Sequence, residues 1–255
     1  MSAAPARSSV FDREAERYDR ARPRYPRRLV DELVAALPGS DVLEIGCGTG
    51  QLSVALAGRG PRVTALELGP ALAARAASQL ASYDSCRVIN ADFEQWRPDR
   101  RYDAVVSATA FGWLGDGRIG RVADALEPGG LAAIVGTSHV RGGTEAFFID
   151  VQACYERWDP STEPGLRLAS KHESDGYGFA EDERFEIVAK SHYFRDIAYT
   201  ASDYVDLLGT YSGMIELSET RRERLFADIQ KLIEERYDGR IVKRYQHELL
   251  LTRRA

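Results

Sequence analysis

The chain has 255 residues, 34 basic against 39 acidic side chains for a net charge of −5, and a composition that is 44% hydrophobic and 29% charged. This length suits one large α/β domain with a sizeable core better than two independent ones, and the composition excludes a long disordered or collagen-like chain. The acidic balance argues against a protein working mainly on phosphate backbones, which presents a basic surplus, so no nucleic-acid partner is expected.

No apolar run approaches the ~20 residues a membrane-spanning helix requires, and Met1 to Ser9 lacks the apolar core of a secretory signal. The expectation is a cytoplasmic protein without a membrane partner. Cys47, Cys86 and Cys154 are odd in number and lack CxxC spacing, which predicts reduced thiols rather than a disulfide framework or a zinc cluster. Five arginines lie between Arg20 and Arg28, a run read as a solvated face.

In chain order, the Ala-, Ser- and Pro-rich first ten residues read as frayed, and Phe11 to Tyr18 as a short helix broken by Pro23 and Pro26. Arg27 to Leu37 is helical through Leu29, Val30, Leu33, Val34 and Leu37, stopped by Pro38-Gly39. Short apolar runs then alternate with amphipathic stretches, the signature of a parallel sheet with crossover helices. Strands are predicted at Val42 to Ile45, Val63 to Leu66, Arg87 to Asn90, Tyr102 to Ser107 and Leu131 to Thr137. Helices fall at Leu52 to Ala57, Ala71 to Ala81 and Arg118 to Leu126, the last closed by a Pro128-Gly129-Gly130 turn. Thr144 to Trp158 reads as helical and Asp159 to Gly178 as an irregular insertion. Phe185 to Ile197 reads as a strand, Ser202 to Leu208 and Ser218 to Tyr237 as helices, and Arg240 to Thr252 as a last strand. The predicted organisation is a single doubly wound domain: an N-terminal helical segment (1–38), a ligand-binding core (39–137), an insertion or cap (138–182), and C-terminal strands with cap helices (183–255).

The first strand runs into Glu44-Ile45-Gly46-Cys47-Gly48-Thr49-Gly50-Gln51. Small residues at such a strand-to-helix turn let backbone approach a ligand and aim helix N-terminal amides at it. The dinucleotide fingerprint GxGxxG requires glycine where Gln51 stands, which counts against a dehydrogenase. The GxGxG pattern behind an acid suits a nucleoside carrying an amino acid better than one carrying a pyrophosphate. Glu67 ends the second strand, where a carboxylate can accept from both ribose hydroxyls; the alternative is a surface charge. Asp92 follows the third strand, placed to accept from an adenine amino group while Phe93 packs on the ring, or to cap a helix.

Taken together, Val42 to Gly50, Ala91-Asp92-Phe93 and Leu126-Glu127-Pro128-Gly129-Gly130-Leu131 resemble the class I S-adenosylmethionine-dependent methyltransferases, over about Phe11 to Thr137. The resemblance implies a mostly parallel Rossmann-like sheet with an antiparallel last strand and a helical cap. It also implies S-adenosyl-L-methionine as cofactor, with Glu44, Gly46, Cys47, Gly48 and Gly50 near the methionine end, Glu67 and Leu68 at the ribose, Asp92 and Phe93 at the adenine, and Ser107 and Ala108 beneath the sulfonium. Tyr18, Arg22, Pro23, Tyr25 and Pro26 are similar to a Tyr-x-x-x-Arg-Pro-x-Tyr-Pro stretch of a small-molecule branch, which implies a segment folding over the cofactor. Relatives of that branch often carry His-Trp after the fourth strand. Here the stretch is Phe111-Gly112-Trp113, so a role for that histidine is vacant, while Trp113 can pack on the methionine portion or in the core.

In-line methyl transfer needs alignment more than a base, but hydroxyl, amine or carbon acceptors use one. Among His139, His172, His192 and His247, His139 is the best-placed catalytic candidate, because strand carboxyl ends face the ligand crevice. Tyr25, Trp113, His139, Phe148, Arg195 and Tyr211 are the candidate substrate contacts, with Arg195 suited to an anionic substrate. No Asp, Glu and His cluster shows metal-ligand spacing, so no metal is expected. The leading expectation is methyl transfer to an O, N, C or carboxylate acceptor of a small molecule. The alternatives are a non-methylating cyclase or rearrangement enzyme using the same cofactor, and an RNA-modifying or regulatory nucleotide-binding module. The aromatic helices beyond the fifth strand fit a substrate cap or a homodimer contact.

Overall fold

A computed structural model describes residues 15–165 and 167–255. The predicted fraying of the first ten residues, and the start of the helix expected from Phe11, lie outside that range; its described part is α1 (Ala15–Ala21). The strands β1 (Asp41–Ile45), β2 (Arg62–Glu67), β3 (Arg87–Asn90), β4 (Tyr102–Ala108), β5 (Leu126–Gly143), β6 (Phe185–Thr200) and β7 (Arg240–Arg254) form one sheet in the order β3-β2-β1-β4-β5-β7-β6. β3 to β5 pair in parallel across the first five positions, and β7 is antiparallel to both β5 and β6. The central strands are continuous in apolar residues because both faces are covered.

One face is covered by α2 (Arg27–Ala36), α3 (Gln51–Ala57) and α4 (Pro70–Leu80), whose Leu29, Leu33, Leu52, Leu56 and Ala76 pack with Val42, Val106, Val135 and Leu249. The other carries α5 (Arg118–Ala125), where Val122 and Ala123 join Leu43, Val105, Ile134, Phe179 and Leu250. A third cluster lies above the first on the same face. It is built by α6 (Glu145–Asp150), α7 (Gln152–Trp158), α8 (Ala201–Leu208) and α10 (Glu219–Arg236), with Phe147, Tyr204, Leu207, Leu225, Ile229 and Ile233 against Ile241 and Tyr245. This is the cap, and a one-turn helix α9 (Ser212–Glu216) that the pattern did not announce links α8 to α10.

Two boundaries differ from the sequence reading. β5 starts at Leu126 and runs to Gly143, so a division at 137/138 cuts a strand, and Pro128-Gly129-Gly130 lies within the strand at a register irregularity instead of forming a separate turn. Gly130 is required there, since a Cβ would stand 2.8 Å from the Glu127 carbonyl oxygen and 3.1 Å from that of Asp103. The extension follows from antiparallel pairing: β5 pairs with β7 as far as Gly143 and Lys243, with a register irregularity after His139, and β6 pairs with the other edge of β7, raising a three-stranded wall beyond the end of β4.

Candidate active site

The turn after β1 is a cradle of left-handed glycines, Gly46, Gly48 and Gly50, at φ of 67°, 56° and 86°. A Cβ on Gly46 would come within 2.5 Å of Ala110 Cβ and one on Gly50 within 3.3 Å of Ala76, so the turn is fixed by both conformation and close approach. Glu67 ties it to β2: its Oε2 accepts from the Gly48 N–H and its Oε1 from the Gly69 N–H, both at 2.8 Å. Leu68 beside it is exposed. Glu44 is only 1% exposed, accepts from the Ser53 hydroxyl, and is pushed up to about 8 by burial, opposed by Ser53 and reinforced by Glu67.

Asp92 closes a turn: its Oδ1 accepts from the Glu94 N–H (2.9 Å) and its Oδ2 from the Gln95 side chain (3.0 Å), with no helix following. Phe93 is buried in the core against Leu43 and Leu66. Ser107 departs from its expected place on the crevice floor. Its buried hydroxyl donates to the Ile45 carbonyl (3.0 Å) and joins β4 to β1. Thr109, next after β4, has φ of 58°, a costly conformation for a β-branched residue. Its side chain is hydrogen-bonded by Tyr25, whose phenol is raised above its usual value by burial. Trp113 ends a 3-10 turn and is 51% exposed.

α1 straps the loop to the cap. Tyr18 Cε1 lies 3.7 Å from where a Gly48 Cβ would be. The Arg22 guanidinium lies over the Tyr18 ring at 4.9 Å and the Tyr211 ring at 4.6 Å, and donates to the Thr210 carbonyl (2.8 Å). Its buried Nε has no partner.

Alternate residues of a strand share a face. Lys243, Tyr245 and His247 therefore stand with Thr137 and His139 on the β5–β7 wall, a polar band between the two apolar clusters of that face. His247 Nδ1 is 2.9 Å from Thr137 Oγ1, and its ring meets Tyr25 edge-on at 6.0 Å. Burial, then Arg195, pushes His247 down to about 4. His139 packs edge-on against Phe148 at 4.4 Å, and burial, then Lys243, pushes it down to about 3. The Nε2 atoms of both histidines are buried without partners. Pushed down in this way, both imidazoles are neutral at pH 7 and weaker bases than a solvated histidine.

Lys243 is 3% exposed. Its Nζ donates to the Tyr211 hydroxyl (3.0 Å) and lies 5.1, 5.1 and 5.9 Å from the Tyr211, Tyr245 and Tyr204 rings. Arg195 stands apart from this band. It is exposed, donates to the Arg24 carbonyl (2.7 Å), and borders an outer cleft of about 430 Å³ with Arg20, Arg22, Arg24 and Tyr199. The fold thus gathers Tyr18, Arg22, Tyr25, His139, Phe148 and Tyr211 around one crevice and leaves Trp113 and Arg195 at its margins. Lys243, Tyr245, Thr109 and Thr137 escaped sequence reasoning. The period-two polar run Lys243, Tyr245, His247 in an otherwise apolar strand was the available signal.

The opposite face of the wall carries a separate polar cluster. Glu173, His192 and Glu248 converge there with ligand atoms within 4.8 Å of one another, although their spacing shows no motif. His192 Nε2 is 3.0 Å from Glu248 Oε2, and Ser174 donates to Glu248 through its N–H (3.2 Å) and its hydroxyl. The cluster pins the insertion onto β6 and β7.

Residues 42–130 match a family model described as a methyltransferase domain. The chain is 24% identical to a malonyl-[acyl-carrier protein] O-methyltransferase of Acetivibrio thermocellus over 77% of its length and 74% of that protein's. It is 24% identical to a trans-aconitate 2-methyltransferase of Shigella dysenteriae over 88% and 91%. The structure of an S-adenosylmethionine-dependent methyltransferase from Thiobacillus denitrificans, in complex with S-adenosyl-L-homocysteine, superposes with a TM-score of 0.53 at 17% identity, covering 92% and 94%. The sheet order and the crevice at the end of β1 and β4 are those of a class I methyltransferase fold. Residues 42–130 thus match a methyltransferase domain, and over most of its length the chain is similar to S-adenosylmethionine-dependent methyltransferases. Among the described residues no helix is long and apolar enough to cross a membrane.

Proposed function

We propose that the enzyme transfers the methyl group to a carboxylate oxygen of a small organic acid, giving a methyl ester. The observation that carries this reading is the wall of the crevice. It offers two buried imidazoles, pushed down to about 3 and about 4, beside the buried Lys243, so neither histidine of the wall is suited to deprotonating a hydroxyl or an amine. An acceptor that arrives as an anion needs no base, and a positive wall draws it in. The two curated relatives described above are an O-methyltransferase of a malonyl group and a methyltransferase of trans-aconitate, both acids.

The cradle fits the cofactor: three left-handed glycines bring backbone to the ligand, the Glu67 carboxylate stands beside them at the end of β2 as the ribose acceptor, and Leu68 presents an apolar surface. In this reading Tyr18 and Arg22 close over the methionine end, with Arg22 Nε as a donor for its carboxylate, and Asp92 borders the adenine. When bound, S-adenosylmethionine supplies a sulfonium methyl. Tyr25, held by the strained Thr109, and His247, oriented by Thr137, then position the acceptor oxygen above β4. Phe148 and His139 exclude water from one side. The free thiols Cys47, Cys86 and Cys154 accord with a cytoplasmic setting.

The test is incubation with S-adenosylmethionine and matched acids, alcohols and amines. Methyl esters accumulating in step with S-adenosylhomocysteine support the reading; methylation confined to alcohols or amines overturns it.

A further inference from the structure

Lys243 is unusual among the buried groups. Its ammonium is almost fully removed from water, and no carboxylate among the described residues pairs with it; its contacts are the Tyr211 hydroxyl and three tyrosine rings. Burying an ammonium costs several kcal/mol, and cation–π contacts of ~1–2 kcal/mol each compensate in part. The positive field is felt locally. Burial pushes the Tyr211 hydroxyl up, but Lys243 and Arg22 more than offset it, and the phenol lies below its usual range. The plug over Lys243 is the Tyr211 side chain, with Arg22 over its ring at 4.6 Å, at the turn before α9, a helix with no buried residue. Lys243 lies four residues along β7 from His247, on the same face and farther above the sheet.

We infer that Lys243 forms a second anion subsite beneath the cap, where it takes the distal carboxylate of the acceptor in place of the Tyr211 hydroxyl, so that the preferred substrate is a dicarboxylic acid. One ammonium and one phenol match one carboxylate; a phosphate with three charged oxygens would call for more donors. The inference rests on the carboxylate reading above and narrows it.

The experiment is a calorimetric titration of protein saturated with S-adenosylhomocysteine, using linear dicarboxylic acids of four to six carbons and monocarboxylic acids of the same lengths. The wild type is expected to bind the best dicarboxylate at least ten-fold tighter than its monocarboxylate counterpart, and Lys243→Met to erase that difference, dicarboxylate affinity falling much further than monocarboxylate affinity. A structural lysine would cost stability when lost, whereas a functional buried charge relieves the fold of its desolvation. The ligand-free Lys243→Met protein should therefore melt a few degrees higher than wild type. Equal affinity for mono- and dicarboxylates in the wild type overturns the proposal, as does a variant that keeps the preference, melts lower or fails to fold. Turnover assays separate the two readings. Monocarboxylates esterified as well as dicarboxylates leave the first standing and remove the second. Lys243-dependent dicarboxylate binding without ester formation does the reverse.

Discussion

Glu67 holds two jobs with one side chain. It fixes the glycine cradle through the Gly48 and Gly69 amides and, in the function proposed above, meets the ribose of the cofactor. Glu67→Ala removes both, leaving two backbone donors and the ribose hydroxyls without their acceptor. S-adenosylhomocysteine binding is expected to weaken by ~1–3 kcal/mol, and unchanged affinity in a calorimetric titration would remove Glu67 from the cofactor site. Glu44 makes a prediction with a definite sign. Its carboxyl is raised from 4.5 to about 8 by burial, with Ser53 opposing and Glu67 adding. Below pH 4.5 both folded and unfolded chains hold the proton; as pH rises toward 8 the unfolded chain ionises first, so the folded state loses stability across that window. Each pKa unit is worth about 1.4 kcal/mol. Glu44→Gln should therefore be more stable than wild type by on the order of a few kcal/mol at pH 8 and little different at pH 4, as read by urea unfolding at the two pH values. Equal stability differences at both would show that Glu44 ionises freely in the fold.

At the scale of elements, α1 joins the cofactor half to the cap. Asp19 is its anchor: Oδ2 accepts from Arg75 Nη2 (2.9 Å), and Oδ1 from Gln79 (2.9 Å) and the buried Thr49 hydroxyl (3.3 Å). Arg17 reaches the cap through Asp206 (2.8 Å). Burial raises the Asp19 carboxyl, but Arg75, Gln79 and Arg24 more than offset it, so its pKa falls below 3.8. Its stabilisation is full above that value and lost as pH drops through the lower folded one. Asp19→Asn is expected to cost about 1–2 kcal/mol, because Arg75 is partly solvated, and to weaken cofactor binding several-fold by loosening Tyr18 and Arg22. Urea unfolding and calorimetry would check the two effects; intact affinity would show that the strap does not cover the cofactor. Much of this architecture was legible in the sequence. The period-two and helical patterns placed every strand but β5 and most helices to within a few residues, and the spacing of Gly46, Gly48 and Gly50 announced the tight strand-to-helix turn that Glu67 ties down. What stayed hidden depended on tertiary pairing. The wall exists because β5 continues to Gly143 against β7, and no local signal tells how long a pairing persists. Lys243 carried no signal in its strand because its burial comes from the cap, a tertiary feature, and the same burial and the same lysine push the His139 imidazole down to about 3.

For the molecule as a whole, the distribution of charge decides how turnover should depend on pH. The chain is acidic overall, yet the crevice gathers Arg22 and Lys243 among tyrosines and two histidines held neutral, at about 3 for His139 and about 4 for His247. An enzyme using either imidazole as a base at its ordinary value would lose activity below pH ~6.5. Here both have already lost their protons well below that pH, and the acceptor carboxylate, ordinarily at about 4, is also charged. The kcat/KM profile for an acid substrate is therefore expected to stay flat from pH 6 upward to about 9, and to fall only near and below pH 4–5, where the acceptor itself takes up a proton. His139→Gln should reproduce that profile with at most a several-fold loss from altered packing on Phe148. A limb near 6.5 in the wild type that disappears in this variant would restore His139 as a base and reopen hydroxyl and amine acceptors.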